Sequence, residues 1–400
     1  MIITRDKYLA EIMRFKDTEF IKVITGVRRA GKSSLMAMYR EHLKALGVAD
    51  EHIVYINFEN LEAIKLRDKQ PLIDYLLANS DKATKMYYLF DEIQFVEEWE
   101  DVINGLRVTF DADITVTGSN AKLLSGEIAT LLSGRYVAFE ILPLSFKEFL
   151  QFKQLDSQDY RHYPKWFAEY RRYGGFPAVV LAEEQSKEII LSGILDTVLL
   201  HDVGYRAEIK DTEVLMAINR YLMFNAGQII SMANISNTLT SARVKTTIPT
   251  INRYLGMLVN AYLFSAANRY DLRGKQYLRA QPKYYPIDTG LRNITLGKSG
   301  DNQGSELEGI VYNELKRRGY SVDVGQLANG KEIDFVARKM EEILYVQVTQ
   351  EIPVASDRET DNLIRVPGNY DKLLITGVQS LPDSIDGIPV RNVYEWLLDD

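Results

Sequence analysis

Gly26-Val27-Arg28-Arg29-Ala30-Gly31-Lys32-Ser33 is the stretch on which the reading of this chain turns. It meets the pattern G-x-x-x-x-G-K-[ST] at every fixed position. Ahead of it, Ile21-Lys22-Val23-Ile24-Thr25 is short and rich in β-branched residues, which predicts a strand. Behind it, residues 34–46 repeat Leu35, Met38, Tyr39 and Leu43 on one helical face. A strand, a glycine loop and a helix form the context that separates this motif from a chance string. Gly26 and Gly31 allow dihedrals that turn successive backbone N–H groups inward around a polyphosphate. Val27, Arg28, Arg29, Ala30 and Ser34 belong to that cradle, and the helix adds the positive end of its dipole. Lys32 would reach the outer phosphates, and the Ser33 hydroxyl would ligate Mg²⁺. The stretch predicts a nucleotide site.

At 400 residues the chain has room for about two to four domains and a large core. Its composition, 46% hydrophobic and 26% charged, is that of an ordinary globular protein. The absence of cysteine excludes disulfide scaffolds, thiolate metal sites and cysteine nucleophiles. It suits a reducing compartment, and a cytoplasmic location is expected. Charges are scattered through residues 1–16, unlike a signal peptide, and no stretch approaches about eighteen apolar residues, so no membrane span is expected. The net charge of −7 argues against wholesale coating of nucleic acid but allows a local basic face.

Around the glycine loop the elements follow in order. Residues 1–19 predict an amphipathic helix, with Tyr8, Leu9, Ile12 and Phe15 on one face. Residues 52–58 predict a buried strand ending in Glu59-Asn60, and residues 71–79 a helix. Met86-Tyr87-Tyr88-Leu89-Phe90 then ends in Asp91-Glu92, about sixty residues after the loop. In P-loop ATPases the first such acid orders the water shell of Mg²⁺ and the second polarises the attacking water. Both belong at a strand's carboxyl end, where a doubly wound sheet holds its nucleotide. A fourth strand, Ile114-Thr115-Val116-Thr117, leads into Gly118-Ser119-Asn120. Ser119 or Asn120 there either senses the γ-phosphate and its water, or caps a helix over residues 121–124. Leu131-Leu132-Ser133-Gly134-Arg135 opens a fifth strand over residues 136–141. Arg135 is placed to reach a γ-phosphate of its own or a neighbouring subunit, or it is a surface arginine.

Asp91-Glu92-Ile93-Gln94, Thr117-Gly118-Ser119-Asn120, Ser133-Gly134-Arg135 and Leu144-Ser145-Phe146-Lys147-Glu148-Phe149 together resemble prokaryotic AAA-type P-loop ATPases. In that family the ATPase carries a C-terminal domain of unknown function with a degraded nuclease-like core. The resemblance continues in Tyr173-Gly174-Gly175-Phe176-Pro177 and in Tyr285-Pro286-Ile287-Asp288-Thr289-Gly290-Leu291, covering nearly the whole chain. It implies ATP as the nucleotide, Mg²⁺ as the cofactor, a homo-oligomer, and Arg135 as an arginine finger. It implies no biological role.

Residues 151–210 predict a helical lid on the ATPase sheet. Tyr160, Tyr163, Trp166, Phe167, Tyr170 and Tyr173 recur there at helical spacing, a pattern more typical of core than of a base-stacking platform. From Val214 to Tyr270 there is no Asp or Glu, yet Arg220, Arg243, Lys245, Arg253 and Arg269 are present. Three helices (residues 213–225, 232–239 and 248–260) and a hairpin turning at Asp271-Leu272-Arg273-Gly274 predict a winged helix over residues 211–290. Arg243, Lys245, Thr246, Thr247, Asn252 and Arg253 fall near the amino end of its third helix, the part that enters a major groove. Duplex DNA is one expected partner, and protein contact the alternative.

Residues 300–400 carry Glu308 on a helix, Asp334 on a second strand, and Gln347-Val348-Thr349 on a third. A helix Glu, a strand Asp and a strand Glu-x-Lys form the constellation of restriction-endonuclease-like nucleases. Gln347 and Thr349 stand where the second acid and the lysine belong, which predicts a degenerate nuclease fold. The expected fold class is therefore α/β. An AAA-type P-loop sheet over residues 1–150 and its lid precede a winged helix and a nuclease-like α/β domain. Three roles stay open: a DNA-associated switch or motor, a signalling or scaffold ATPase whose C-terminal half binds protein, and an ATP-gated nuclease. The missing acid and lysine argue against the last.

Overall fold

A computed structural model of the chain describes residues 4–121, 132, 134–156, 159–205, 211–272, 274, 276–277, 282–297, 303–328, 330–351, 358–366, 368–377 and 382–399. The chain forms two compact units, residues 1–141 with 260–262, and residues 142–259 with 263–400. The helix expected over residues 121–124 and the side chains of Leu131 and Ser133 lie outside the described residues.

In the first unit five parallel strands stand in the order β2-β3-β4-β1-β5. They are β1 (Ile21–Thr25), β2 (Ile53–Asn57), β3 (Met86–Asp91), β4 (Ala112–Thr117) and β5 (Tyr136–Glu140). Helices Lys32–Ala45, Lys69–Ala78 and Trp99–Thr109 connect them. Because the sheet interior is covered, β1 and β3 are buried along their whole length and read as apolar runs rather than alternating patterns. Val23, Ile56, Phe90, Ile103 and Val116 make the core, each worth about 1.5–3 kcal/mol of burial. Lys22 on β1 and Asp113 on β4 form a fully buried ion pair at 2.8 Å. The N-terminal helix is shorter than expected, spanning Asp6–Met13. The chain turns at Asp17, at a φ of 61°, where the Asp17 N–H donates to Asp113 Oδ2 at 2.8 Å and the Tyr87 hydroxyl donates to the Asp17 carboxylate at 2.7 Å. That anchoring ends the helix.

The register places β4 between β1 and β3, with Ile24 opposite Thr117 and Phe90 opposite Val116. The carboxyl ends of these three strands therefore lie side by side.

The second unit contains the segment expected as a lid. Its aromatic stripe is core: Phe146 lies 5.4 Å from Phe167 and 5.6 Å from Tyr170, centroid to centroid, and Phe167 lies 5.0 Å from Tyr394 of the last helix, Val393–Leu398. These helices share the interior of the C-terminal unit, not only that of a lid. Helix Phe146–Phe152 starts with a capping box between Ser145 and Glu148. Three of the quoted motifs meet at Asp288. Its carboxylate accepts from Gly175 N at 2.7 Å and Leu291 N at 3.3 Å, while Leu144 N donates to Gly175 O at 2.7 Å. A Cβ on Gly174, at a φ of +73°, would stand 2.0 Å from Asp288 Oδ1, so only glycine fits that approach. Burial pushes the Asp288 carboxyl up to about 6, although the N–H groups of Gly175, Leu291 and Gly290 pull it down.

Helices Thr212–Phe224, Met232–Ser241 and Ile248–Asn260 follow as expected. The hairpin does not run as one piece. β6 (Phe264–Ala267) pairs antiparallel with β9 (Lys283–Pro286), but β7 (Arg269–Asp271) leaves to pair in parallel with β10 (Ser321–Gln326). Arg269 reaches Glu332 at 3.0 Å and Arg338 lies over the Tyr270 ring at 4.3 Å, which holds β7 on the second sheet. β8 (Gln276–Tyr277) pairs with β7. The resulting eight-stranded sheet runs β14-β15-β13-β12-β11-β10-β7-β8. Its remaining strands are β11 (Glu332–Lys339), β12 (Glu342–Thr349), β13 (Asp371–Thr376), β14 (Ser384–Ile385) and β15 (Ile388–Asn392). Strand pairing thus crosses the boundary expected between residues 290 and 300. Among the described residues no helix is long and apolar enough to cross a membrane.

Candidate functional site

The loop after β1 begins at Gly26, at a φ of +136°, where a Cβ would stand 2.2 Å from Ile141 O. Arg29 and Gly31 also have positive φ, 64° and 101°, so the backbone coils into a cradle before helix Lys32–Ala45 starts. Val27 and Ala30 are buried and seat the loop, and the Arg5 guanidinium donates to Ala30 O at 3.0 Å. Lys32, 4% exposed, donates to Gly26 O at 3.1 Å and Val27 O at 3.3 Å. Its Nζ lies 3.8 Å from Glu92 Oε1. Arg28 pairs with Glu59 at the end of β2, while Arg29, Ser33 and Ser34 are exposed at the cradle's mouth.

Asp91 and Glu92 close β3 and part in direction there, because Glu92 sits in the left-handed region at a φ of 55°. Asp91 is fully buried; Asn57 Nδ2 donates to its Oδ2 at 3.1 Å and the Thr117 hydroxyl to its Oδ1. Burial raises the Asp91 pKa, and the Glu92 charge adds to it, against hydrogen bonds from Thr117 and Ser33 and the Lys32 charge. Glu92 goes the other way. Burial would raise it, but Lys32 and hydrogen bonds from Gln94 and Ser119 hold it below the ordinary carboxylate range. Ser119 Oγ lies 2.7 and 2.9 Å from the two Glu92 oxygens, and Thr117 Oγ1 accepts from Glu92 N at 2.9 Å. Thr117 therefore holds both acids. Asn120 follows Ser119, partly exposed.

The donor set fits the group that the loop implies. A glycine cradle with no room for a Cβ suits a polyphosphate, and the Ser33 hydroxyl bonded to the Asp91 carboxylate is the hard-oxygen pair that Mg²⁺ prefers. Sequence reasoning missed Asn57, Gln94, Thr117 and Arg5 as members of the site. Each acts across strands or through the loop backbone, so only Gln94, two residues after Glu92, left a local signal.

Arg135 is exposed and precedes β5, its carbonyl accepting from Ile21 N at 3.0 Å. That is the amino edge of the parallel sheet. The cradle lies at the carboxyl edge, a strand length of ~16 Å away. Arg135 does not reach its own loop, which removes the reading of a finger in its own subunit. Its charge is felt instead by Arg107, which burial and Arg135 both lower.

Arg243, Lys245, Asn252 and Arg253 are all exposed around the turn into helix Ile248–Asn260, and Thr247 Oγ1 accepts from Thr250 N at 3.3 Å. Among the described residues none of the three cations has a carboxylate partner.

The last candidate group does come together. Asp334 N donates to Gln347 Oε1 at 3.4 Å, Val348 N donates to Asp334 Oδ2 at 2.8 Å, and the Tyr285 hydroxyl donates to Glu308 Oε2 at 3.3 Å. Lys283 on β9, also missed by the sequence reading, lies with its Nζ 3.2 Å from Glu332 Oε2. Among the described residues no three acids, histidines or cysteines are grouped to hold a metal.

A family model described as an AAA domain matches residues 18–150, and one described as a domain of unknown function matches residues 164–302. An uncharacterized protein of Haemophilus influenzae is 53% identical over 400 residues, 99% of each chain. An uncharacterized protein of Methanocaldococcus jannaschii is 36% identical over 310 residues, 75% of this chain and 67% of that one. The solved Walker-type ATPase of Pyrococcus abyssi is similar over 74% of this chain and 96% of its own, at a TM-score of 0.49 and 14% identity.

Proposed function

The chain belongs to the family in which an AAA domain of the P-loop ATPase class precedes a domain of unknown function, and from that premise we propose that it binds and hydrolyses ATP. The observation that carries this is the Lys32–Glu92–Ser119 arrangement at the mouth of the cradle. Lys32 and the loop amides bind the phosphates. Ser33 and Asp91 hold Mg²⁺, which supplies positive charge against the polyphosphate. Glu92, kept ionised by Lys32, orients the attacking water and takes its proton, while Ser119 and Gln94 fix the carboxylate's direction. Asn120 follows Ser119 as the second candidate sensor of the γ-phosphate.

Arg135, on the far edge of the sheet, serves the cradle of an adjacent copy, which makes the working form a homo-oligomer. The test is direct. Lys32→Ala should abolish both nucleotide binding and turnover. Glu92→Gln should retain a fluorescent ATP analogue and slow steady-state phosphate release by about 10²–10⁴-fold. Wild-type turnover in Glu92→Gln would refute the assignment.

A second reading concerns the three helices and hairpin, taken as a winged helix. Arg243, Lys245 and Arg253, exposed and without a carboxylate partner among the described residues, favour duplex DNA, which makes the protein a DNA-associated switch. Each phosphate they neutralise adds about 0.9 to the slope of log affinity against log salt. Reversing Arg243 and Lys245 should flatten that slope and leave DNA-free turnover unchanged. Salt-independent binding, or none at low salt, would favour a protein partner. The eight-stranded sheet is a nuclease-like module without nuclease activity: Gln347 and Thr349 supply neither the acid nor the lysine.

A further inference from the structure

Arg5 is 3% exposed and stands just before helix Asp6–Met13, well ahead of the glycine loop in sequence. Its guanidinium lies over the Tyr8 ring at 4.5 Å and donates to Ala30 O at 3.0 Å. We propose that Arg5 is a positioning residue of the phosphate cradle, turning the Ala30–Gly31 peptide so that the Gly31 N–H faces the phosphates. The N-terminal helix is then part of the nucleotide site. The inference rests on reading the glycine loop as that site.

Peptide geometry is the first support. In a trans peptide the C=O and the following N–H point to opposite sides, and no described peptide bond is cis. A donor that fixes Ala30 O therefore aims the Gly31 N–H the other way. That N–H has no protein acceptor among the described residues, whereas Ala30 N donates to Val27 O at 3.2 Å. Backbone amides of such a loop are the groups that cradle phosphates. The peptide also needs an outside hold. Gly31, at a φ of 101° and without a Cβ, lets the preceding peptide turn over at little cost. Arg29, at a φ of 64°, sits in a region that its side chain disfavours. Arg5 removes the freedom that the glycine allows.

Placement is the second support. Ala30 is fully buried and Tyr8 is 4% exposed, so the guanidinium approaches the loop from the protein interior. Arg29, Ser33 and Ser34 occupy the exposed mouth instead. Arg5 therefore acts through Ala30 and not on a phosphate. Lying against the Tyr8 ring, its planar fork is held in one orientation, which fixes the direction of the donor. The neighbouring carbonyls of Gly26 and Val27 are held by Lys32, which the phosphates also claim. Ala30 O has a holder with no second task at the mouth.

The test measures binding of ADP and of a non-hydrolysable ATP analogue to the full chain by calorimetry, beside melting temperature and steady-state turnover. Arg5→Met keeps the bulk without the donor. It should weaken both nucleotides alike, by about ten- to a hundredfold, because the amide serves phosphates common to both. The KM for ATP should rise with it and kcat stay within about threefold of wild type, as for an interaction made equally in ground and transition states. Arg5→Lys keeps one donor but not the planar fork. It should fall between, at least about threefold weaker than wild type. Ile12→Ala opens a cavity under the same helix, where Ile12 is fully buried. It should lower the melting temperature as much and leave both affinities within about twofold of wild type. Wild-type affinity in a folded Arg5→Met would overturn the proposal, as would an equal loss in Ile12→Ala or a fall in kcat at unchanged KM. If Arg5→Met does not fold, Arg5→Lys decides, and wild-type affinity there would overturn the proposal. A wild type that binds neither nucleotide, or a Lys32→Ala variant that binds them as wild type does, would instead refute the reading of the loop, and the inference with it.

Discussion

Asp91 and Glu92 end one strand inside a shell of hydroxyls and amides, whereas Glu308 accepts from Tyr285, Asp334 from the Val348 N–H, and the nearby Lys283 is bound to Glu332. Both regions are α/β sheets with carboxylates near a lysine. In the first, Lys32 rests on two loop carbonyls and stands 3.8 Å from Glu92, close enough to hold its charge without being committed to it. Thr117, Ser119, Asn57 and Gln94 aim the carboxylates from the side. In the second, the Tyr285 hydroxyl and the Val348 N–H engage Glu308 and Asp334, and the buried Lys283 is committed to Glu332 at 3.2 Å. Acids near a lysine do not by themselves make a reaction centre. The freedom of the cation makes the difference.

The sharpest way to break that contrast is at Arg135. If the first region is completed by a neighbouring copy, Arg135→Ala should lower turnover by roughly a thousandfold or more. Mixing it with Lys32→Ala protein should restore activity at shared interfaces, read as phosphate release against mixing ratio. Intact oligomers with no rescue at any ratio would leave Arg135 a surface residue, since its own cradle is out of reach.

Thr117→Val probes the orienting shell itself. It leaves the Glu92 N–H buried without its acceptor, at a cost of about 1–3 kcal/mol in denaturant unfolding. Turnover should fall by about ten- to a hundredfold with nucleotide affinity much less affected, because the acids stay but lose their alignment. Equal losses in binding and rate would mean that Thr117 shapes the cradle rather than the acids.

The residues that were legible in sequence are those whose work is local. Gly26, Gly31, Lys32 and the Asp91-Glu92 pair follow one another along the chain and act through adjacent backbone, so spacing alone reports them. Thr117 and Asn57 act across neighbouring strands; Thr117 stands in a quoted motif, but its hold on both acids is made only by the fold. Lys283 read as one residue of a wing, because its partners come more than twenty residues later. Arg269-Tyr270-Asp271 looks the same whether it continues a hairpin or joins another sheet. Only Glu332 and Arg338, contacts made at long range, decide between the two.

A smaller effect belongs to Asp288, a buried acid of the second unit that has backbone N–H donors around it. Its carboxyl titrates at about 6 in the folded chain against an ordinary value of 3.8, so the native state holds the proton longer than the unfolded one. Its contribution to stability is full below about pH 4 and is lost as the pH rises through about 6, at most about 3 kcal/mol. The melting temperature of wild type should therefore fall over that window more steeply than that of Asp288→Asn. Parallel curves would place the titration elsewhere.

The smallest expected effect is none. Glu308→Gln/Asp334→Asn should leave DNA-free ATP turnover at the wild-type rate, since these acids hold a hairpin and not a nucleotide. A drop in rate with an unchanged melting curve would erase the distinction between the two regions.

The departure of β7 to the second sheet also bears on how this protein can be cut into pieces. A fragment ending near residue 290 would carry β7 and β8 with no strand to lie against, and one starting near residue 300 would expose the edge of β10. Unpaired edges of that kind recruit other chains, so both fragments should express as aggregates. Residues 142–400 keep every pairing of that sheet, and a protease should find its durable product there.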